Sequence, residues 1–395
     1  MPYFDHAATT SMVPEVQKLF VEHLTQAANP SSIHNSGRKA RAIVEVAREQ
    51  IGRALKTHPS HIYFTAGGTE ADNLAVKGLY WSRQKDKVRP RILVSAIEHH
   101  AVLDPAHWLE KTSGAIVELI PVNQKGVIDL DELTKLIAKN ETDVALIAVM
   151  WANNEVGSVQ PIEEIAKLAN AHQIPLHVDA VQAIGSLEID LSRINLDSLA
   201  ISGHKIGAPH ATGLLVLRNG FKVDPVLHGG NQEPEVRSGT INTAGAAALG
   251  LAVELAVAKQ AQHAARLQAL RDKLIKEISS LVPDCVVNGD LENRLPGNTH
   301  FSFFGASGDS ILMLLDQQGI EVSTGSACSA GVAQPSHVLM AMGVDLFHAI
   351  SSVRITLGTS TTETEVNQLI TKLPQAVATA RLAGLNVGKK EAVKE

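Results

Sequence analysis

The chain has 395 residues, 45% of them hydrophobic and 19% charged, with a net charge of −6. That length exceeds one small core and predicts two domains; the composition is that of a globular protein, and the negative balance excludes a general nucleic-acid binder, which needs a basic face. Two cysteines, Cys285 and Cys328, cannot build a disulfide framework or a structural zinc site, so a reduced, cytoplasmic setting is expected, with no basic-then-apolar leader and no apolar run long enough to span a bilayer.

Tyr3 to Thr10 reads as a short opening segment, followed by a helix near Pro14, where proline suits the first turn. Asn29-Pro-Ser-Ser-Ile-His34 is punctuated as a loop, and Arg38 to Leu55 repeats apolar residues at helical spacing through Ala42, Val46 and Ile51. Ile62-Tyr-Phe-Thr65 predicts a strand that runs through Gly67-Gly68-Thr69 into a helix from Glu70. Such a junction has two readings. It is a plain turn capped by Thr69, or a helix N-terminus that binds phosphate through free N–H groups and its positive dipole end. Arg91 to Ile97 predicts another strand, with Glu98-His99-His100 at its end. His99 is then a satisfied loop residue or a ligand contact; no third ligand stands at a spacing that would make the pair a metal site.

Strands over 117–122 and 144–150 flank a helix over 130–139, an alternation that predicts a largely parallel sheet with helices on both faces. The second of these strands ends in Asn153-Asn154-Glu155-Val-Gly157, by itself a turn signal. Two more buried-looking strands follow. Ile174 to Gln182 carries His177-Val-Asp179, and Asp197 to Ser202 runs into Gly203-His204-Lys205. One ends on an acid and the other on a lysine, which places both at the carboxyl edge of the sheet, where ligands bind. Ala246 to Leu281 is rich in helix formers and leads to a smaller α+β domain, with strands at 286–290, 300–304 and 319–322 around a helix at 309–318. Cys285 lies in Val-Pro-Asp-Cys-Val-Val and is expected to be buried. Cys328 lies among Ser, Gly and Ala, which predicts an accessible loop and leaves a reactive and an inert thiol both open. Ser351 to Gly358 predicts a strand whose arginine, Arg354, needs an anionic partner.

His177-Val-Asp179-Ala-Val-Gln182 followed by Ser202-Gly-His-Lys205 resembles the cysteine desulfurases, the NifS/IscS-like branch of the class-V aminotransferases. The likeness runs from Asp5 to about Leu369. It implies an α/β protein of the pyridoxal 5′-phosphate (PLP) transferase fold type I, with a mostly parallel seven-stranded sheet in the large domain and a smaller α+β domain. The implied division is an N-terminal segment 1–14, a PLP domain 15–258, a small domain 259–384 carrying Cys328, and a disordered tail 385–395. Lys205 would hold PLP, and Asp179 would face its pyridinium nitrogen. His99 would stack on the ring and shuttle protons. Gly68 and Thr69 would hold the phosphate, with Asn154, Gln182, Ser202 and His204 as further cofactor contacts. Thr240, in Arg237-Ser-Gly-Thr240, would reach the phosphate of a neighbouring subunit, which implies a homodimer.

By the same resemblance, Arg354 and Asn154 would orient the carboxylate of L-cysteine, a group that suits a bidentate fork. Cys328 would take the sulfur as a persulfide, releasing L-alanine. The implied onward partner is a sulfur-acceptor protein, an iron–sulfur scaffold or a tRNA thiolase, with no direct contact to nucleic acid or membrane. No intrinsic metal is implied, although Cys328 could ligate an iron–sulfur cluster transiently. The chain departs from the family pattern at Gly68, where alanine is usual, at Ala208 to Ala211 in place of Gly-Pro-Lys-Gly, and at Asn231 in place of a glycine, with Pro234-Glu235 interposed. Three rivals stay open: a selenocysteine or cystine lyase of the same fold, an aminotransferase, and a non-catalytic scaffold for sulfur assembly.

Overall fold

A computed structural model describes residues 1–26, 28–218, 220–325 and 335–391, with side chains through residue 383; Cys328 lies outside the described residues. The first part of the chain runs α1 (Pro14–Leu24), α2 (Asn35–Leu55), β1 (Ile62–Thr65), α3 (Gly68–Arg83), β2 (Arg91–Ser95), α4 (His100–Ser113), β3 (Ile116–Ile120), α5 (Leu130–Lys139), β4 (Val144–Met150), α6 (Ile162–Ala171), β5 (Leu176–Asp179), β6 (Ser198–Ser202), β7 (Gly213–Leu217) and α7 (Thr243–Ala258). Its seven strands form one sheet in the order β1-β7-β6-β5-β4-β2-β3. All point the same way except β7, which is antiparallel to both β1 and β6. This is the mostly parallel seven-stranded sheet implied above.

Residue choice explains the layering. β4 reads Val-Ala-Leu-Ile-Ala-Val-Met and is buried along its whole length, because helices cover both faces of a parallel sheet. α7 is built largely from alanine and glycine, which lets α2 approach closely: a Cβ on Gly250 would lie 2.9 Å from the Cα of Ala47. α2 starts on His34, whose side chain accepts from the N–H of Gly37.

The second part runs α8 (Gln260–Leu281), β8 (Cys285–Val287), β9 (Asn298–Phe303), α9 (Gly308–Asp316), α10 (His337–Ala341), α11 (Leu346–Ile350), β10 (Ser352–Thr356) and α12 (Glu363–Glu391). Its three strands form an antiparallel sheet in the order β10-β9-β8. A separate core of Leu274, Ile278, Phe301, Phe303, Ile311, Val353, Leu369 and Leu373 packs beneath it, joined by Phe4 from the N-terminus. The segment 319–322 makes no strand; Glu321 bridges only to Tyr3, so its partner is the start of the chain. β8 stops at Val287, since Gly289 turns the backbone to φ +89°. Cys285 is only partly buried, because β8 is an edge strand whose Val286 is exposed. Helix α12 continues to Glu391, so residues 385–391 are helical where a disordered tail was expected; Leu385, Lys389, Lys390 and Glu391 are good helix formers. Among the described residues no single helix is long and apolar enough to cross a membrane.

Candidate active site

Parallel strands share a carboxyl edge, and the predicted site residues gather there. Asp179 ends β5 and is buried. The N–H of Val181 donates to its Oδ1 at 2.8 Å, and among the described residues the carboxyl has no other partner. Burial, and then the nearby Asp72 carboxyl, push its pKa up to about 7. Lys205 closes the single 3-10 turn that follows β6. Its Nζ donates to the backbone carbonyls of Ala7 at 2.5 Å and Ala8 at 2.7 Å. Burial, and then the charge of Arg354, bring its pKa down to about 8. His204 faces Thr9 Oγ1 at 3.1 Å and stacks on His210, with ring centroids 5.4 Å apart. Burial, and then the Lys205 charge, hold it at about 4. Gln182 donates to the same Ala7 carbonyl at 2.9 Å.

The strand-to-helix junction at Gly67-Gly68-Thr69 is shaped by its glycines. Gly67 has φ +152°, and a Cβ on Gly213 across from it would lie 2.6 Å from its Cα. A Cβ on Gly68 would lie 2.8 Å from Val181 Cγ2 and 3.2 Å from Ser202 Cβ, so the alanine usual here would press on Val181. Thr69 stands exposed in the first turn of α3, where amide N–H groups lack intrahelical acceptors. His99 caps α4: its Nδ1 accepts from the N–H of Ala101 at 3.0 Å, which leaves the ring proton on Nε2. Desolvation, and then the Lys205 charge, press its pKa below the usual imidazole value.

Arg354 comes from the other sheet. It sits in the middle of β10, opposite His300, and is buried. Its Nη2 meets Asp5 Oδ1 at 2.7 Å, and its Nη1 donates to the backbone carbonyl of Asn154 at 3.2 Å. Arg354 and Asn154 are thus joined, and the segment Asp5 to Thr9 links them to Lys205, Gln182 and His204. Thr240 is different. It is exposed and lines a cleft of about 80 Å³ with Thr65, Ala66 and Asn242, and among the described residues it makes no side-chain hydrogen bond to the other predicted ones.

These residues fit PLP. A buried carboxyl with one unpartnered oxygen suits a ring N–H, a lysine of lowered pKa suits covalent attachment, and the close glycine junction at the start of α3 suits a phosphate. A profile of the family described as aminotransferase class-V matches residues 2–369.

The chain belongs to the class-V aminotransferases.

Similar members cover nearly its whole length. An IscS-like cysteine desulfurase of Mycobacterium tuberculosis is 46% identical over 387 residues, 98% of each chain. A solved NifS-like protein shares 34% identity and a TM-score of 0.88 over 96% of this chain and 99% of its own. The solved structure of SspA in complex with cysteine shares 33% identity and a TM-score of 0.78 over 90% of this chain and 99% of its own.

Two departures from the class-V pattern keep a glycine-like backbone. Ala211 and Asn231 stand where the pattern has glycine, and their φ angles are +57° and +56°. The segment 228–240 is pinned by ion pairs that sequence reasoning missed: Glu233 holds Arg48 at 3.2 Å and accepts from the N–H of Phe64, while Arg237 meets Glu70 at 2.7 Å. Also missed were the carbonyls of Ala7 and Ala8, the pair Asp72–His177 behind Asp179, with Oδ1 and Nε2 3.1 Å apart, and buried Glu98, which accepts from the N–H of Met150. The partners of Ala7 lie 175 and 198 positions away, beyond any local pattern. Glu98 had a signal in its place beside His99 at a strand end.

Proposed function

We propose that the chain is a PLP-dependent cysteine desulfurase, converting L-cysteine to L-alanine and leaving the sulfur as a persulfide on Cys328. The observation that carries this reading is that the segment Asp5 to Thr9 joins Arg354, from the second sheet, to Lys205 at the edge of the large sheet where Asp179 ends β5. PLP, when bound, supplies a sink for the electron pair left on the substrate's Cα. Arg354 and Asn154 orient the α-carboxylate. Lys205 holds the cofactor and, once free, takes the Cα proton on Nζ; a pKa of about 8 makes the neutral amine accessible near neutrality. Asp179 accepts the N–H of the ring and keeps that proton in place. Gly68 and Thr69 bind the phosphate, Gln182, Ser202 and His204 position the cofactor, and His99 carries protons on Nε2. The Cys328 thiolate attacks the substrate sulfur. The S–S bond forms as the Cβ–S bond breaks, the electron pair stays with carbon, and protonation completes L-alanine.

The reading extends to a homodimer in the cytoplasm. The exposed setting of Thr240, in a cleft that Lys205 does not line, supports its serving the second copy's site. The change of core between α7 and α8 supports a domain division at residues 258–259. The sulfur passes to an acceptor protein, an iron–sulfur scaffold or a tRNA thiolase, without contact to nucleic acid or membrane. Reduction with borohydride and peptide mapping will place the pyridoxyl group on Lys205. Cys328→Ser will keep PLP and bind L-cysteine but form no persulfide and little L-alanine. Turnover of that variant at the parent rate would replace this mechanism with a lyase that needs no enzyme thiol.

A further inference from the structure

We infer that Asp5 is a positioning residue for the substrate carboxylate, acting by fixing the plane of the Arg354 guanidinium; the inference rests on reading Arg354 as the carboxylate clamp. A buried guanidinium needs a counter-ion, and among the described residues Asp5 is the only carboxylate that pairs with Arg354. The guanidinium is held from two sides, by Asp5 on Nη2 and by the Asn154 carbonyl on Nη1, with Ser323 Oγ 3.3 Å from Nη2. A planar fork recognises a carboxylate only when the two planes align, so whatever sets its plane sets the affinity.

Asp5 is itself anchored. Its backbone bridges to Thr356, two positions along β10 from Arg354. Tyr3 donates its hydroxyl to the Asp5 carbonyl at 2.9 Å. Phe4 before it is fully buried in the second core, and the N–H of Ala7 after it donates to Thr356 Oγ1 at 2.9 Å. The carboxylate of Asp5 is therefore delivered to Arg354 by a segment tied to the same strand. Being an anion, Asp5 cannot bind the substrate carboxylate, so its effect passes through Arg354.

The test uses the PLP-loaded enzyme and L-alanine, which carries the amino and carboxylate groups of the substrate and no thiol. Binding is followed by the absorbance change of the bound cofactor. Asp5→Asn keeps the side chain's size and removes the charge. It is expected to weaken L-alanine binding about tenfold, the effect of losing one hydrogen bond to a charged group. PLP retention should match the parent, the thermal midpoint should fall because the buried guanidinium loses its counter-ion, and with L-cysteine the KM should rise while kcat stays within about twofold. Ethylamine, which lacks the carboxylate, should bind parent and variant alike. In an Arg354→Gln background Asp5→Asn should add less than about twofold, because coupled residues are not additive. Parent-like or tighter L-alanine binding by Asp5→Asn, or full additivity with Arg354→Gln, overturns the inference. If Arg354→Gln alone keeps parent affinity for L-alanine, the clamp reading of Arg354 falls first and this inference with it.

Discussion

At the amino edge of the large sheet, charges are paired. Lys56 and Arg193 hold Asp190 at 2.7 and 3.2 Å, and with Ser192 the Lys56 contact pulls its carboxyl down to about 2. Arg218 lies 3.8 Å from Asp197, too far to offset the burial that pushes this carboxyl up to about 6, so the close pairing at this edge is that of Asp190. At the carboxyl edge of the same strands, Asp179 is pushed up to about 7 and Lys205 down to about 8, and among the described residues neither has an ion-pair partner. A charge paired as closely as Asp190 is held in one protonation state and serves the fold. A buried group without a partner sits near its own titration point, ready to hold or release a proton, at a cost in stability.

The sharpest break of this comparison is substitution at both edges. Lys205→Ala should lower L-alanine formation at least about 10³-fold, since it removes both the attachment point and the base. Lys56→Ala should leave the rate within about twofold and the thermal midpoint within about 2 °C, since the lysine is exposed and buried Asp190 keeps its second partner, Arg193. Comparable losses of activity at the two edges would end the distinction.

Asp179→Asn should act in opposite directions with and without the cofactor. The folded pKa of about 7 lies above the ordinary 3.8, so ionising this carboxyl opposes folding increasingly from about pH 4 to 7 and fully above that. Apoprotein of the variant should therefore melt higher than the parent at pH 8 and equally at pH 4, while its PLP dissociation constant rises at least about tenfold. A lower apoprotein midpoint at pH 8 would show that Asp179 is stabilised by a partner. A smaller effect concerns pH. Uptake of PLP by the apoprotein requires neutral Lys205 and should rise about fivefold between pH 7 and 8, then level above about pH 9. A rise that continues to pH 10 would mean that Lys205 has an ordinary pKa. The smallest effect lies just past the carboxyl edge, at Ala211. Relieving its left-handed φ of +57° with Ala211→Gly should stabilise the protein by about 1 kcal/mol without changing activity.

The large sheet was legible because its strands are short apolar runs separated by helical periodicity, and β4 and β6 fall where those runs lie. Lys205 and Asp179 were legible because each ends such a run. The antiparallel placement of β7 was not, since Gly213 to Leu217 has the same apolar character in either direction. The second sheet was read less well: 319–322 is apolar enough for a strand, yet its neighbour is Tyr3, which no local pattern announces. The same reason hid Asp5, Ala7 and Ala8. Their chemistry is a short carboxylate and two carbonyls, and their meaning comes only from residues far along the chain.

That distance has a consequence for synthesis. The contact between Ala7 and Thr356 spans 349 positions. At about 5–20 residues per second, the first ten residues leave the ribosome tens of seconds before β10 is made. The large sheet can pack during that interval, but the N-terminal segment cannot dock on a strand that does not yet exist. Closing so long a loop costs little more than closing one half its length, because the entropy grows only logarithmically. The wait is one of time and not of free energy. A nascent chain halted before residue 352 has Lys205 and Asp179 already made and Arg354 missing, so, on the proposed role of Arg354, the ability to grip a carboxylate is among the last properties the polypeptide acquires.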